Sequence, residues 1–81
     1  MIVTVQLFAA ARDCIGRPTV QVDLNGESTV AGLRQRLAID FPALAAILPH
    51  AQMAVDAEYV TNDFPLQSTS DVALIPPVSG G

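Results

Sequence analysis

The sequence has no lysine and no tryptophan, and it holds one cysteine, Cys14, and one histidine, His50. Without lysine, no side-chain amine here can form a Schiff base, clamp a phosphate or accept an isopeptide bond. All four basic residues are arginines: Arg12, Arg17, Arg34 and Arg36. Set against eight carboxylates, they leave a net charge of −4. That balance argues against nucleic-acid binding, which draws on a basic footprint. It favours a partner with a basic surface. A lone thiol excludes an internal disulfide and fits a reducing compartment.

The same scarcity limits side-chain chemistry. No sequence signature assembles a nucleophile, base and orienting group. Metal sites built from cysteine and histidine are unsupported, so no metal and no resident cofactor is expected. Cys14 reads as a loop thiol, and His50 as a helix-end or surface residue. No strand leads into a glycine-rich turn and helix, so the phosphate-binding loops are missing too. No apolar run approaches the roughly 18 residues of a membrane span. The chain opens on Met1-Ile2-Val3-Thr4-Val5, which reads as a strand and lacks the regions of a signal peptide. No membrane association is expected, and the cytoplasm is the expected location.

What the chain does have is apolar residues: 51% of 81 positions, enough for a packed core in one domain spanning residues 1–81. A domain of this size buries only about two-thirds of its unfolded surface, so a bound partner would add to its stability. Val3, Val5 and Leu7 alternate with Thr4 and Gln6, which is strand periodicity, with Ile2 and Phe8 on the other face. Asp13, Gly16 and Pro18 predict a loop over residues 9–18, although Ala9-Ala10-Ala11-Arg12 also suits one helical turn. A second strand is expected over 19–24, closed by Asn25-Gly26.

Thr29 is a candidate N-cap. Val30, Leu33, Leu37 and Phe41 then recur at helical spacing. Pro42 should stop this helix near Asp40. A short helix over 43–48, ended by Pro49, comes next. Two short strands follow, 52–55 and 58–61, around Asp56-Ala57, and a last strand spans 71–75. The expected order is β-β-α-β-β-β: an α+β domain with one main helix packed on one face of a mixed sheet. The first and last strands, with the cleanest alternation, should be parallel neighbours at its centre. This is the β-grasp arrangement, and it would place Val3, Val5, Leu7, Leu33, Leu37, Val72 and Leu74 in the core.

The C-terminal segment Ile75-Pro76-Pro77-Val78-Ser79-Gly80-Gly81 stands apart. Proline cannot donate to a sheet ladder, so the strand should end by Ile75. Pro76-Pro77 should form a stiff spacer that projects residues 76–81 as a tail. Gly80-Gly81, without side chains, can thread a narrow channel. At a glycine frequency of about 7%, two terminal glycines arise by chance in roughly 0.5% of chains. With side-chain chemistry excluded, the expected reactive group is the Gly81 α-carboxylate. Attack on the α-phosphate of ATP would convert it to an acyl adenylate, and a sulfur donor could then displace AMP to leave a thiocarboxylate. On the helix-free face, Phe8 and Ile75 would join Pro76, Pro77 and Val78 in an apolar docking patch; the alternative is that the loop after the first strand covers Phe8. Arg12 suits either a partner carboxylate or a local carbonyl.

The segment Asp71-Val72-Ala73-Leu74-Ile75-Pro76-Pro77-Val78-Ser79-Gly80-Gly81 resembles the C-terminal signature of the small subunit of molybdopterin synthase, the MoaD family of ubiquitin-like sulfur carriers. The resemblance runs the whole chain. Leu7-Phe8-Ala9 with Arg12 is similar to the family's start, Thr29-Val30 with Leu33-Arg34 and Leu37 to its helix, and Met53-Ala54-Val55-Asp56 and Tyr59-Val60 to its central hairpin. The resemblance implies that Gly81 is adenylated by an ATP-using, E1-like activating enzyme and becomes a 1-thioglycine. It implies that the tail, with Val78, Ser79 and Gly80, inserts into the large synthase subunit. There sulfur passes to a cyclic pterin precursor, forming the dithiolene of molybdopterin. By the same resemblance the catalytic side chains belong to the large subunit, and two large subunits pair with two small ones. The chain departs from the family at Thr69-Ser70-Asp71, commonly Gly-Asp-Glu, and at Asp56-Ala57, commonly Asn-Gly. Rival readings are a sulfur carrier for thiazole, cysteine or tRNA thiolation pathways, and a ubiquitin-like modifier or interaction module.

Overall fold

The computed structural model describes residues 1–26 and 28–77. Strand β1 (Ile2–Leu7) leads into helix α1 (Ala9–Ile15) and strand β2 (Thr19–Asp23). Helix α2 (Val30–Asp40) follows, then two 3-10 turns at Pro42–Leu44 and Leu48–His50. Strands β3 (Gln52–Val55), β4 (Glu58–Val60) and β5 (Val72–Ile75) complete the described chain. The sheet order is β2-β1-β5-β3-β4. β1 and β5 are parallel and central, and every other pairing is antiparallel. This is the expected β-grasp fold.

The core lies between the sheet and α2. Val3, Val5 and Leu7 of β1 and Val72 and Leu74 of β5 all point to that side, each no more than 2% exposed. They pack in one cluster with Leu33 and Leu37 of α2. Burying a leucine of this kind stabilises the fold by roughly 1.5–3 kcal/mol. Leu44, Leu48, Met53 and Leu66 fill the rest of the cluster. The N-cap is as expected: the Gly32 N–H donates to Thr29 Oγ1 at 3.2 Å. The helix ends at Asp40, and Phe41 turns to φ −132°, ψ 77° before Pro42. That extended φ keeps clear of the proline ring, which disfavours a helical residue before it.

Two local expectations change. Residues 9–15 form helix α1, so the alternative of a helical turn at residues 9–12 holds and extends to Ile15, in place of the loop. Ala11 is fully buried in the core, with Ile15 packed against the cluster, so tertiary contact supplies what seven residues lack by propensity. Gly16, at φ 79°, ends the helix in the left-handed conformation and donates its N–H to Arg12 O at 2.7 Å. The segment 43–48 is likewise not one short helix. Residues 43–44 belong to the first 3-10 segment, 45–47 are a turn, Leu48 opens the second segment, and Pro49 sits inside it rather than after it. At the start of a helical turn the missing proline N–H leaves no bond unmade.

Candidate functional site

The parallel register of the central strands builds the root of the tail. Leu7 pairs with Leu74 in the core. The next residue on each strand, Phe8 and Ile75, therefore emerges on the sheet face turned away from α2. Phe8 is extended, at φ −122°, ψ 153°, and caps α1 with no side-chain bond. Its carbonyl accepts from the Ala11 N–H at 3.1 Å, while Ala9 adopts φ +50° to turn the chain out of the strand. Helix α1 does not cover the ring, which stays 43% exposed.

A cross-strand row extends this patch. Gln6 pairs with Ala73, Ala73 with Ala54, and Ala54 with Tyr59. The two alanines form the floor of a groove walled by Phe8, Ile75 and Tyr59. Tyr59 is 67% exposed. By contrast, β1 and β2 present Thr4, Gln6, Thr19 and Gln21 on the same face, with Ile2 the exposed apolar residue at the far end of β1. Tyr59, Ala54 and Ala73 escaped the sequence reading as surface residues. Alternation alone put Ala54 opposite Met53 and Val55, but only the strand order brings it beside Ala73.

One end of the groove is polar and rigid. Gln6 Nε2 donates to Asp71 Oδ1 at 2.7 Å. The Asp71 N–H donates to Asp56 Oδ1 at 3.1 Å, and the Asp56 N–H to Asp71 O at 2.9 Å. The β3–β4 turn thus grips the start of β5. Both of its central residues have positive φ, Asp56 at 51° and Ala57 at 69°. That is the requirement of a two-residue hairpin turn of type I′.

Ile75 is half-buried, Pro76 is buried and Pro77 is exposed. Among the described residues the chain clears the body at Pro77, one residue later than the start expected for the tail. Val78, Ser79, Gly80 and Gly81 lie outside the described residues. Cys14 is exposed on α1, and His50 is exposed at the end of the second 3-10 turn. Among the described residues no group of three or more histidines, cysteines or carboxylates is placed to hold a metal. No described helix is long and apolar enough to cross a membrane.

The model of the ThiS family matches residues 5–81. The chain belongs to the ThiS family. Its relatives include the molybdopterin synthase sulfur carrier subunit of Dictyostelium discoideum, 36% identical over 93% of this chain and 91% of that protein. The Escherichia coli protein of the same name is 33% identical over 98% of this chain and 99% of its own. Among solved structures, small archaeal modifier protein 1 from Haloferax volcanii aligns over the full length of both chains, with 28% identity and a TM-score of 0.85. A complex of subunits 1 and 2 of molybdopterin-converting factor from Helicobacter pylori aligns over 100% of this chain and of the matched one, at 22% identity and a TM-score of 0.70. At that identity the likeness to this ThiS-family chain is one of fold.

Proposed function

We propose that this chain is the sulfur-carrier subunit of a molybdopterin synthase and works through the α-carboxylate of Gly81. The carrying observation is an apolar, exposed face, Phe8 with Ile75 and Tyr59, set at the root of a Pro-Pro-Val-Ser-Gly-Gly tail. The names of the relatives agree with it. A carrier needs a surface that docks first on an activating enzyme and then on the large synthase subunit. It also needs an arm that enters each active site, where the partner supplies the catalytic groups.

The Gly81 carboxylate attacks the α-phosphorus of ATP, forming an acyl adenylate and releasing pyrophosphate. Hydrosulfide released by a sulfur donor attacks the carbonyl carbon, expels AMP and loses its proton, which leaves a thiocarboxylate. Glycine suits both attacks, because no branch at Cα crowds the carbonyl. In the large subunit the sulfur passes to a cyclic pterin precursor. Two large and two small subunits form the assembly, which works in the cytoplasm. ATP serves the activating enzyme, and the chain itself holds no cofactor.

Incubation with activating enzyme, ATP and a sulfur source should raise the intact mass by the exchange of one oxygen for sulfur. Deletion of Gly81 should abolish molybdopterin formation while the fold persists. No mass change under competent conditions, or molybdopterin formation without Gly81, would refute the reading. The likeness to small archaeal modifier protein 1 supports a second reading, conjugation to other proteins. It predicts isopeptide-linked adducts of this chain in cell extracts.

A further inference from the structure

Three of the four arginines have local work. Arg34 donates to the carbonyls of Leu48 at 2.6 Å and Ala51 at 2.8 Å, and to Asn62 Oδ1 at 2.8 Å. Arg36 pairs with Asp40 at 2.9 and 3.2 Å. The Arg17 guanidinium lies 5.9 Å from the centre of the Phe41 ring. Arg12 makes no hydrogen bond or ion pair through its side chain with any described residue. Asp13 and Arg17 line the hollow on its far side, and Asp13 stands beyond ion-pairing distance.

The place of Arg12 gives this a meaning. Its backbone N–H points at Phe8 O, 3.5 Å away, so residues 8 and 12 stand one turn apart. Phe8 lines both the apolar groove and a second hollow that holds Arg12 together with Ser68, Thr69 and Ser70. Phe8 is thus a ridge with apolar floor on one flank and Arg12 among hydroxyl-bearing residues on the other. The carboxylate in that second hollow, Asp71, is already engaged by Gln6.

We propose that Arg12 is the charge anchor of the docking face: it receives an aspartate or glutamate from the protein seated on Phe8 and fixes the orientation in which that protein meets the tail. The planar guanidinium matches a carboxylate with two parallel bonds. Docking on Phe8 removes water beside it, which weakens screening of the pair. The net charge of −4 opposes an acidic partner group over most of the surface, so a carboxylate finds its match here and misdocked approaches are disfavoured. This rests on the functional reading above, whose large synthase subunit is the partner in question.

The test measures affinity for that large subunit at low and high ionic strength. Arg12→Glu should bind about tenfold more weakly at low salt, mostly through slower association, and the deficit should shrink at high salt. Arg12→Ala should lose about three- to fivefold, whereas Arg36→Glu, which changes net charge equally on α2, should stay within about twofold. The absence of lysine allows a second, direct reading. Arg12→Lys introduces the sole side-chain amine, and zero-length carbodiimide coupling should join it to one partner carboxylate, mapped by mass spectrometry. Equal binding of Arg12→Glu and Arg36→Glu, or no cross-link at position 12 in a complex that forms, would overturn the anchor and leave the functional reading standing. Failure of the unaltered chain to bind the large subunit would overturn both.

Discussion

Asp56 and Asp71, 15 residues apart, hold each other by two backbone N–H donations: Asp56 to Asp71 O, and Asp71 to Asp56 Oδ1. Both lie at turns, and the fold places them in contact. Asp56 tolerates its φ of 51° because a short polar side chain can bond nearby backbone there. The pair fixes the polar end of the groove and, through Gln6, ties it to β1.

Asp56→Ala should therefore destabilise the fold by about 1 kcal/mol, by losing one hydrogen bond and placing alanine at positive φ. Asp56→Asn keeps an acceptor and the local tolerance, and should change stability by less than about 0.5 kcal/mol. Urea unfolding of the two variants checks this; equal losses would disprove the role of the Asp56 oxygen.

The neighbouring Ala57 carries φ 69° with a Cβ. Ala57→Gly should relieve this strain and stabilise the fold by about 1 kcal/mol, after the entropy of the freer unfolded chain is counted. Thermal unfolding should shift upward by roughly 4–8 °C. A lower midpoint would mean that the turn is not strained.

Arg34 ties α2 to the segment entering β3 and to the turn after β4. Partial burial lowers its pKa from the ordinary value, yet a guanidinium stays charged at any working pH. Arg34→Met should cost about 2–3 kcal/mol, because two partly buried carbonyls lose a charged donor. Arg34→Lys should recover only part of it, since one ammonium cannot match the fork. Calorimetric unfolding separates these outcomes.

Phe8→Ala and Tyr59→Ala should each leave the unfolding midpoint within a few degrees, because both side chains are largely exposed. Each should weaken binding to the large subunit by about tenfold or more, as aromatic anchors at an interface do. Titration calorimetry with that subunit gives the answer, and unchanged affinity for both would move the docking face elsewhere.

Some of this was legible in the chain. The alternation of Val3, Val5 and Leu7, the spacing of Val30, Leu33 and Leu37, and the stop before Pro42 are local signals. Local sterics and hydrophobic patterning enforce them whatever the rest does. Helix α1 was only half legible: one helical turn at residues 9–12 was the alternative to a loop, and its extension to Ile15 depends on the burial of Ala11. The role of Arg34 was not legible, because its acceptors lie 14 and 17 residues away.

From its residues alone the chain determined a β-grasp plan, because alternating and helical apolar spacings are local signals. Which residues share a surface was decided only by the tertiary structure. Hydrogen-bond register between distant strands set Ala73 beside Ala54 and Ala54 beside Tyr59. It also brought Phe8 level with Ile75 and Asp56 within reach of Asp71. Register is a non-local property: shifting a strand by one residue would turn every one of these side chains to the other face.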